Sequence, residues 1–303
     1  MKVGVIGLGD IAEKAYLPVV STLPDLDLHL HTRTPATLRR VAETHRVPVE
    51  HRHADLDGLL AEGLDAAFVH AATSVHPEIV TRLIEAGVPT YVDKPLAYSL
   101  DESARLIDLS RDRGVGLMVG FNRRHVPAYV ESRTLPRDLI MIRRNRVDTA
   151  RELRTVAFDD LIHVVDTLRF LAPGEIEHVD VRARVVDGLA QHFVLHLSGA
   201  GFSAIGTLNL RSGSNEEILE VSGRDATREV YNLADVIDYQ DGRPTTHRRG
   251  DWTPIARQRG IEQVVLSFLD GVRTGVFPDL DDALRTHELC ELVVDEVEKQ
   301  QLG

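Results

Sequence analysis

Apolar positions along the chain switch between short unbroken runs and the three-to-four spacing of helices. The runs Val3 to Gly7, Leu26 to His31, Ala66 to Ala71, Thr90 to Val92 and Gly116 to Val119 are strand-length, and all but Leu26 to His31 are almost wholly apolar, as expected of strands buried on both faces. Between them, Ile11 to Thr22, Pro35 to His45, Pro77 to Ala86 and Leu100 to Arg113 carry helical spacing. Strands alternating with helices predict an α/β Rossmann-type, doubly wound parallel sheet. Such a sheet binds ligands at the carboxyl ends of its strands, so Gly7 to Ala12, Thr32 to Thr34, Ala72 to His76 and Asp93 to Pro95 should converge there.

After Gly120 the pattern changes. Leu139 to Arg146, Ile176 to Val186, Gln191 to Leu197, Phe202 to Leu210, Ile218 to Gly223 and Glu229 to Asn232 read as strands, with few helices between them. Helical stretches fall at Ala157 to Leu171, Ile261 to Thr274 and Leu280 to Gln301. The expected second half is an α+β domain with an open, mostly antiparallel sheet. The division predicted is 1–120 and 121–303, with the last helix a candidate to pack back on the first domain.

At 303 residues the chain has room for two cores. A net charge of −12 excludes a general binder of nucleic acid or anionic membrane, which needs a basic surface. No apolar run approaches the ~20 residues of a membrane helix, and the apolar stretch after Lys2 is too short and too glycine-cut for a signal peptide. The single cysteine, Cys290, excludes an internal disulfide and fits a buried helix position. A cytoplasmic protein acting on small molecules is expected.

The first strand runs into Gly7-Leu8-Gly9-Asp10-Ile11-Ala12, a G-x-G-x-x-A turn that opens a helix. Gly7 permits the tight turn, Gly9 lets backbone N–H groups approach a pyrophosphate, and Ala12 allows close helix packing. At the end of the second strand, His31-Thr32-Arg33-Thr34 lacks the acid that accepts from an NAD ribose and supplies a cation. Arg33 can meet a 2′-phosphate, with Thr32 or Thr34 adding a hydroxyl, so NADP(H) is expected and NAD(H) is the alternative.

With that turn, Val92-Asp93-Lys94-Pro95-Leu96, Val119-Gly120-Phe121-Asn122-Arg123-Arg124 and the run Asp159 to Asp166 resemble the Gfo/Idh/MocA oxidoreductases, and within them the MviM/YceM branch of virulence-factor oxidoreductases. The likeness runs through Trp252 and Arg259-Gly260. It implies a nucleotide-binding domain joined to a substrate domain, and interconversion of alcohol and carbonyl on a sugar, polyol or similar molecule. Imine reduction with the same cofactor, or cofactor binding without turnover, are the alternatives.

By this resemblance Lys94 is the catalytic lysine, hydrogen-bonding the reacting oxygen; Asp93 stands where the family more often has Glu. His163 is the general acid/base and Asp159, four residues before it, orients substrate or stabilises the imidazolium; Asp166 is a candidate orienter or a packing residue. Leu161 replaces a common glycine. Asp10, Ile11, Ala72, Thr73, His76, Asp93 and Asn122 are expected around the cofactor. Arg123 and Arg124, with Arg143, Arg144 and Arg146, form a cationic cluster that either recognises an anionic or hydroxylated substrate or neutralises internal carboxylates. His29, His31, His45, His51 and His53 match no ligand spacing, so no metal is expected. A homodimer or higher homo-oligomer is implied.

Overall fold

Strand β1 (Lys2–Ile6) is buried from Val3 onward and pairs in parallel on both sides, with β2 (Asp27–His31) and β4 (Ala66–Val69). With β3 (Arg52–His53), β5 (Thr90–Asp93) and β6 (Leu117–Gly120) they form a six-stranded parallel sheet ordered β3-β2-β1-β4-β5-β6. This is the doubly wound order, with its switch point between β1 and β4. The computed structural model describes residues 1–302. The chain forms two compact units, Met1–Gly120 with Ile261–Leu284, and Phe121–Gly260 with Arg285 onward.

The helices around the first sheet begin and end where their sequence says. Helix Leu100–Arg113 starts at Ser99, whose Oγ accepts from the Glu102 N–H at 3.1 Å, and stops at Gly114 in the left-handed region. One boundary differs from the sequence reading, because helix Ile261–Thr274, expected in the second domain, belongs to the first unit. It buries Val264, Val265, Phe268 and Leu269, and the Phe268 ring meets Phe68 edge-on at 5.0 Å and Tyr91 at 5.7 Å. The helix's own pattern announces an apolar face without saying which sheet receives it.

The second unit carries a nine-stranded sheet: β7 (Leu139–Asn145), β8 (Arg151–Glu152), β9 (His178–Val186), β10 (Leu189–Gly199), β11 (Phe202–Asn209), β12 (Glu216–Gly223), β13 (Ala226–Tyr231), β14 (Asp235–Gln240) and β15 (Arg243–His247). Its path is β15-β14-β13-β12-β7-β11-β10-β8, with β9 on β10; β7 and β11 are parallel and the other pairs antiparallel. Leu153–Val156, a π turn at Ala157–Leu161 and helix Ile162–Leu171 follow one another directly, and the last of these packs on β7 and β11. The hairpin β14–β15 is absent from the sequence reading because Arg243–His247 is exposed throughout and shows no apolar alternation.

Gly7 combines a left-handed backbone with a close approach to the backbone that follows β4. Its φ is +85°, its N–H donates to the His31 carbonyl at 2.9 Å, and a Cβ there would lie 2.4 Å from the Ala71 backbone nitrogen. Gly7→Ala should therefore cost about 3 kcal/mol through strained backbone and overpacking. Gly9→Ala, whose Cβ meets nothing within 4 Å, should leave thermal unfolding unchanged; equal losses in the two variants would contradict this account of the turn.

Candidate active site

The switch point opens into a cleft of about 540 Å³ lined by Gly7, Leu8, Gly9, His31 to Thr34 and Ala72, among others. Gly7, Gly9, Thr32, Arg33, Thr34 and Ala72 are thus brought together as expected. Ala12 is buried under the π turn Ala12–Tyr16, whereas Asp10 and Ile11 are exposed at the turn, Asp10 bonded to Lys14. Arg33 is exposed at the cleft and makes no hydrogen bond or ion pair among the described residues. Its charge faces outward, available to an anion.

His76 does not line the cleft edge. It is buried, with Nδ1 at 2.9 Å from the Pro95 carbonyl and Nε2 at 2.9 Å from the Ala71 carbonyl. Burial lowers its pKa against the pull of the two carbonyls. It ties the loop after β5 to the loop after β4 from behind; Thr73 opens the short 3₁₀ turn, Thr73–Val75, just before it.

Lys94 is half-buried directly after β5. The preceding Asp93 is fixed by two donors: Tyr16 Oη gives to Oδ1 at 3.3 Å and His70 Nδ1 lies 3.2 Å from Oδ2. Tyr91 in turn donates to Tyr16, the two phenol oxygens being 2.6 Å apart. Burial, then the Asp93 charge, holds both phenols far above their ordinary pKa, so each stays a neutral donor. Gly120 keeps this chain open, since a Cβ there would lie 2.4 Å from Tyr91 Oη. The sequence reading assigns no role to Tyr16, Tyr91 or His70.

In the second unit the arginine cluster is largely paired internally. Arg123, 5% exposed, gives Nε and Nη2 to the two carboxylate oxygens of Glu217 at 2.8 and 2.7 Å. Arg144 sits opposite Glu217 in the β7–β12 register, with its Nε 3.9 Å from Glu217 and Nη2 3.4 Å from Asp160. Tyr129 Oη adds a third donor to Glu217 at 3.0 Å. Arg124 grips Asp166, through Nε at 2.9 Å and Nη2 at 2.6 Å, and Thr286 donates to the same carboxylate at 3.1 Å. Arg143 pairs with Glu216 at 3.4 Å.

Of the two readings of the cluster, neutralisation of internal carboxylates is the one Arg123 and Arg124 follow, because Glu217 and Asp166 already claim them. Asp166 serves Arg124. Arg146 has no carboxylate within ion-pairing range among the described residues; with Arg259, which the sequence named only for its family likeness, it lines a separate cleft of about 400 Å³. Asn122, expected at the cofactor, donates Nδ2 to the Arg259 carbonyl at 2.8 Å. Asp159 accepts from Arg151 at 3.3 Å.

His163 is half-buried, and its Nδ1 lies 2.6 Å from Arg123 Nη1. A guanidinium can only donate, so Nδ1 presents its lone pair and the neutral ring carries its proton on Nε2. This contact gives no support to the general acid/base role expected of His163 and sets the ring up as a hydrogen-bond donor. A neutral Nε2–H cannot take up a proton and does not readily give one away.

The relatives agree with this architecture. Residues 1–121 match the model of the oxidoreductase family with an NAD-binding Rossmann fold. A Salmonella typhimurium protein described as oxidoreductase YceM is 30% identical over 298 residues, covering 92% of each chain. The chain belongs to the Gfo/Idh/MocA oxidoreductase family. A dehydrogenase structure (MviM) from Clostridium difficile superposes with a TM-score of 0.93 at 28% identity, covering 98% of this chain and 99% of that one. The myo-inositol dehydrogenase Hyg17 of Streptomyces leeuwenhoekii is 36% identical over 203 residues, 63% of this chain and 60% of its own. The protein is thus an oxidoreductase of this family with an NAD(P)-binding unit.

Glu217 supplies a test of the buried ion set. Burial would raise its carboxyl, but the Arg123 charge and hydrogen bond, with Arg144 and Tyr129, hold it down at about 2. Because the folded pKa is depressed, its stabilisation is present above the ordinary carboxylate range and is lost as pH falls toward 2. That contribution is of order 3 kcal/mol. Unfolding midpoints of the wild type should fall between pH 5 and about 2, and Glu217→Gln should lower stability at neutral pH by about 3–5 kcal/mol and flatten the acid limb; an unchanged limb would refute this role.

Proposed function

We propose that the protein is an NADP(H)-dependent oxidoreductase that interconverts an alcohol and a carbonyl on a sugar, polyol or similar small molecule. The observation that carries the cofactor choice is Arg33, exposed at the cleft and unpaired among the described residues, at the strand end where an NAD-specific site has an acid. The residues present fit the nucleotide. Gly9 leaves open space beside the first helical turn for a pyrophosphate, and Arg33 with Thr32 or Thr34 can hold a 2′-phosphate. When bound, the nicotinamide supplies or receives the hydride.

Lys94 is assigned the reacting oxygen: in reduction its ammonium gives the proton that converts the oxyanion to the hydroxyl, and in oxidation its amine takes that proton back. Asp93, held by Tyr16 and His70, fixes the turn that aims it. His163 is assigned the neutral Nε2–H that hydrogen-bonds the same class of oxygen, oriented by Arg123. Cyclic polyols and aldoses are the first substrates to screen. A cytoplasmic homodimer or higher homo-oligomer fits the open sheet, where Val194 on β10 is 42% exposed.

The cofactor is tested by following nicotinamide fluorescence as NADPH or NADH is added. Arg33→Ala should weaken NADPH binding about 10–100-fold, the worth of a charge-assisted pair, and leave NADH nearly unchanged. Equal weakening of both nucleotides would remove the basis for NADP(H), and no binding of either would remove the oxidoreductase reading.

The donor role of His163 separates from proton transfer by substitution. His163→Ala should lower kcat/KM about 100-fold. His163→Gln, whose amide N–H can replace Nε2–H, should recover to within about tenfold of wild type if a donor is all that is needed. Equal loss in Gln and Ala would restore the acid/base assignment.

A further inference from the structure

Histidines that show no ligand spacing in the sequence come together at the edge of the first sheet. Asp27, His29 and His31 alternate on β2 and share one side, and parallel pairing with β3 sets His31 beside His53. His29 Nδ1 and His53 Nε2 are 3.1 Å apart, and Glu62 Oε2 lies 4.0 Å from His29 Nδ1. His29 is only 1% exposed, yet its Nε2 has no hydrogen-bond partner; the nearest carboxylate oxygen, Asp27 Oδ2, stands 3.6 Å away.

We propose that His29 Nδ1, His53 Nε2 and Glu62 form a binding site for a divalent transition-metal ion of the zinc class. Ligand atoms about 2.0–2.1 Å from a tetrahedral ion stand roughly 3.3 Å from one another; the two imidazole nitrogens, 3.1 Å apart, are near that spacing already, and Glu62, at 4.0 Å from His29, has to move inward. Two imidazoles and a carboxylate are a zinc-type set, with water completing the tetrahedron. Both rings must offer lone pairs, so His29 carries its proton on Nε2, directed at Asp27. That is the carboxylate–histidine–metal arrangement by which an outer carboxylate orients a ligand, and it gives the buried Nε2 a use.

The surroundings support this choice. Burial first, and neighbouring histidines next, push His29 and His53 below their ordinary pKa, toward the neutral form a metal needs. The His53 carbonyl is held at 3.0 Å by His31 Nδ1, which fixes the ligand's backbone. Lys2 Nζ, 3.7 Å from Glu62 Oε2, is the one ammonium among the described residues that competes for the carboxylate. The other nearby set, Asp27, His29 and His51, fits less well. The His29 and His51 rings lie face to face at 4.1 Å, whereas the equally parallel His29 and His53 rings are offset, with centroids 5.3 Å apart and facing nitrogens 3.1 Å apart.

The experiment is calorimetric titration of untagged protein with Zn²⁺, and with Co²⁺ followed by visible absorption. The expected result is one ion per chain, a raised unfolding midpoint and the strong d–d bands of tetrahedral Co²⁺. His29→Gln, His53→Gln and Glu62→Gln should each weaken binding about 100-fold, and Asp27→Asn about tenfold, while His51→Gln keeps it. Glu62 is half-buried, so its variant should fold even if a histidine variant does not. Absence of stoichiometric binding, or binding lost in His51→Gln and kept in Glu62→Gln, would overturn the site.

Discussion

Glu217 has almost no access to water and must still balance two guanidiniums. Taking such charges out of water is costly, and the cost is met only when geometry is good and every lone pair is used. Here Arg123 is bidentate, Tyr129 adds its hydroxyl, and Arg144 shares its charge with Asp160. Burial and the Arg123 charge pull the Arg144 guanidinium down to about 9, so it stays charged at neutral pH. The arrangement depends on strand register, because Arg144 and Glu217 are direct partners on β7 and β12. A one-residue slip would exchange Glu217 for Glu216 and turn the core face outward. Register also decides the chemistry, since the Arg123 that Glu217 holds is the group that fixes the tautomer of His163.

The first unit solves a related problem with neutral donors. Asp93 ends β5 and must hold one orientation for the turn to Lys94 to be defined. Its partners are a phenol and an imidazole, both closed in by aromatic packing: His70 lies 4.1 Å from the Tyr16 ring and Phe68 lies 5.3 Å from Tyr91. Tyr91 to Tyr16 to Asp93 is a one-way chain of donors, because burial leaves neither phenol able to ionise. The apolar core and the polar turn are therefore one construction. Phe268, arriving from the far end of the chain, packs against the same rings.

Much of this was legible in the sequence where local pattern and tertiary role coincide. Unbroken apolar runs marked β1, β4 and β5 because a sheet covered on both faces tolerates nothing else, and Ser99 and Gly114 bracketed their helix. What escaped depends on partners distant in sequence. Ile140, Ile142 and Arg144 continue one period-two face, as do Glu217, Leu219 and Val221; a charge in a core position of each strand was the signal of a buried pair, but only their pairing names the partner. The arginine cluster drew attention as a cationic surface, and most of its charge is spent on internal carboxylates. The histidines at the β2–β3 edge escaped for the same reason, as spacing along the chain carries no information about which strands lie side by side.

His70 and His163 show how the polarity of one contact divides structural from chemical work. At His70 the partner of Nδ1 is the Asp93 carboxylate, so Nδ1 bears the proton and Nε2 is left with a lone pair. That nitrogen is buried without a partner, and an unpaired acceptor is the cheaper group to bury. The ring's task is to hold Asp93. At His163 the partner of Nδ1 is a guanidinium, so the lone pair points inward and the proton is on Nε2. His163 is only half-buried, and its remaining polar group is a donor. An oxygen that gains negative charge as hydride arrives needs a donor, and a bare lone pair at the same place would repel it. Under the proposed function the buried Glu217 would act through Arg123, which sets the nitrogen of His163 that keeps the proton.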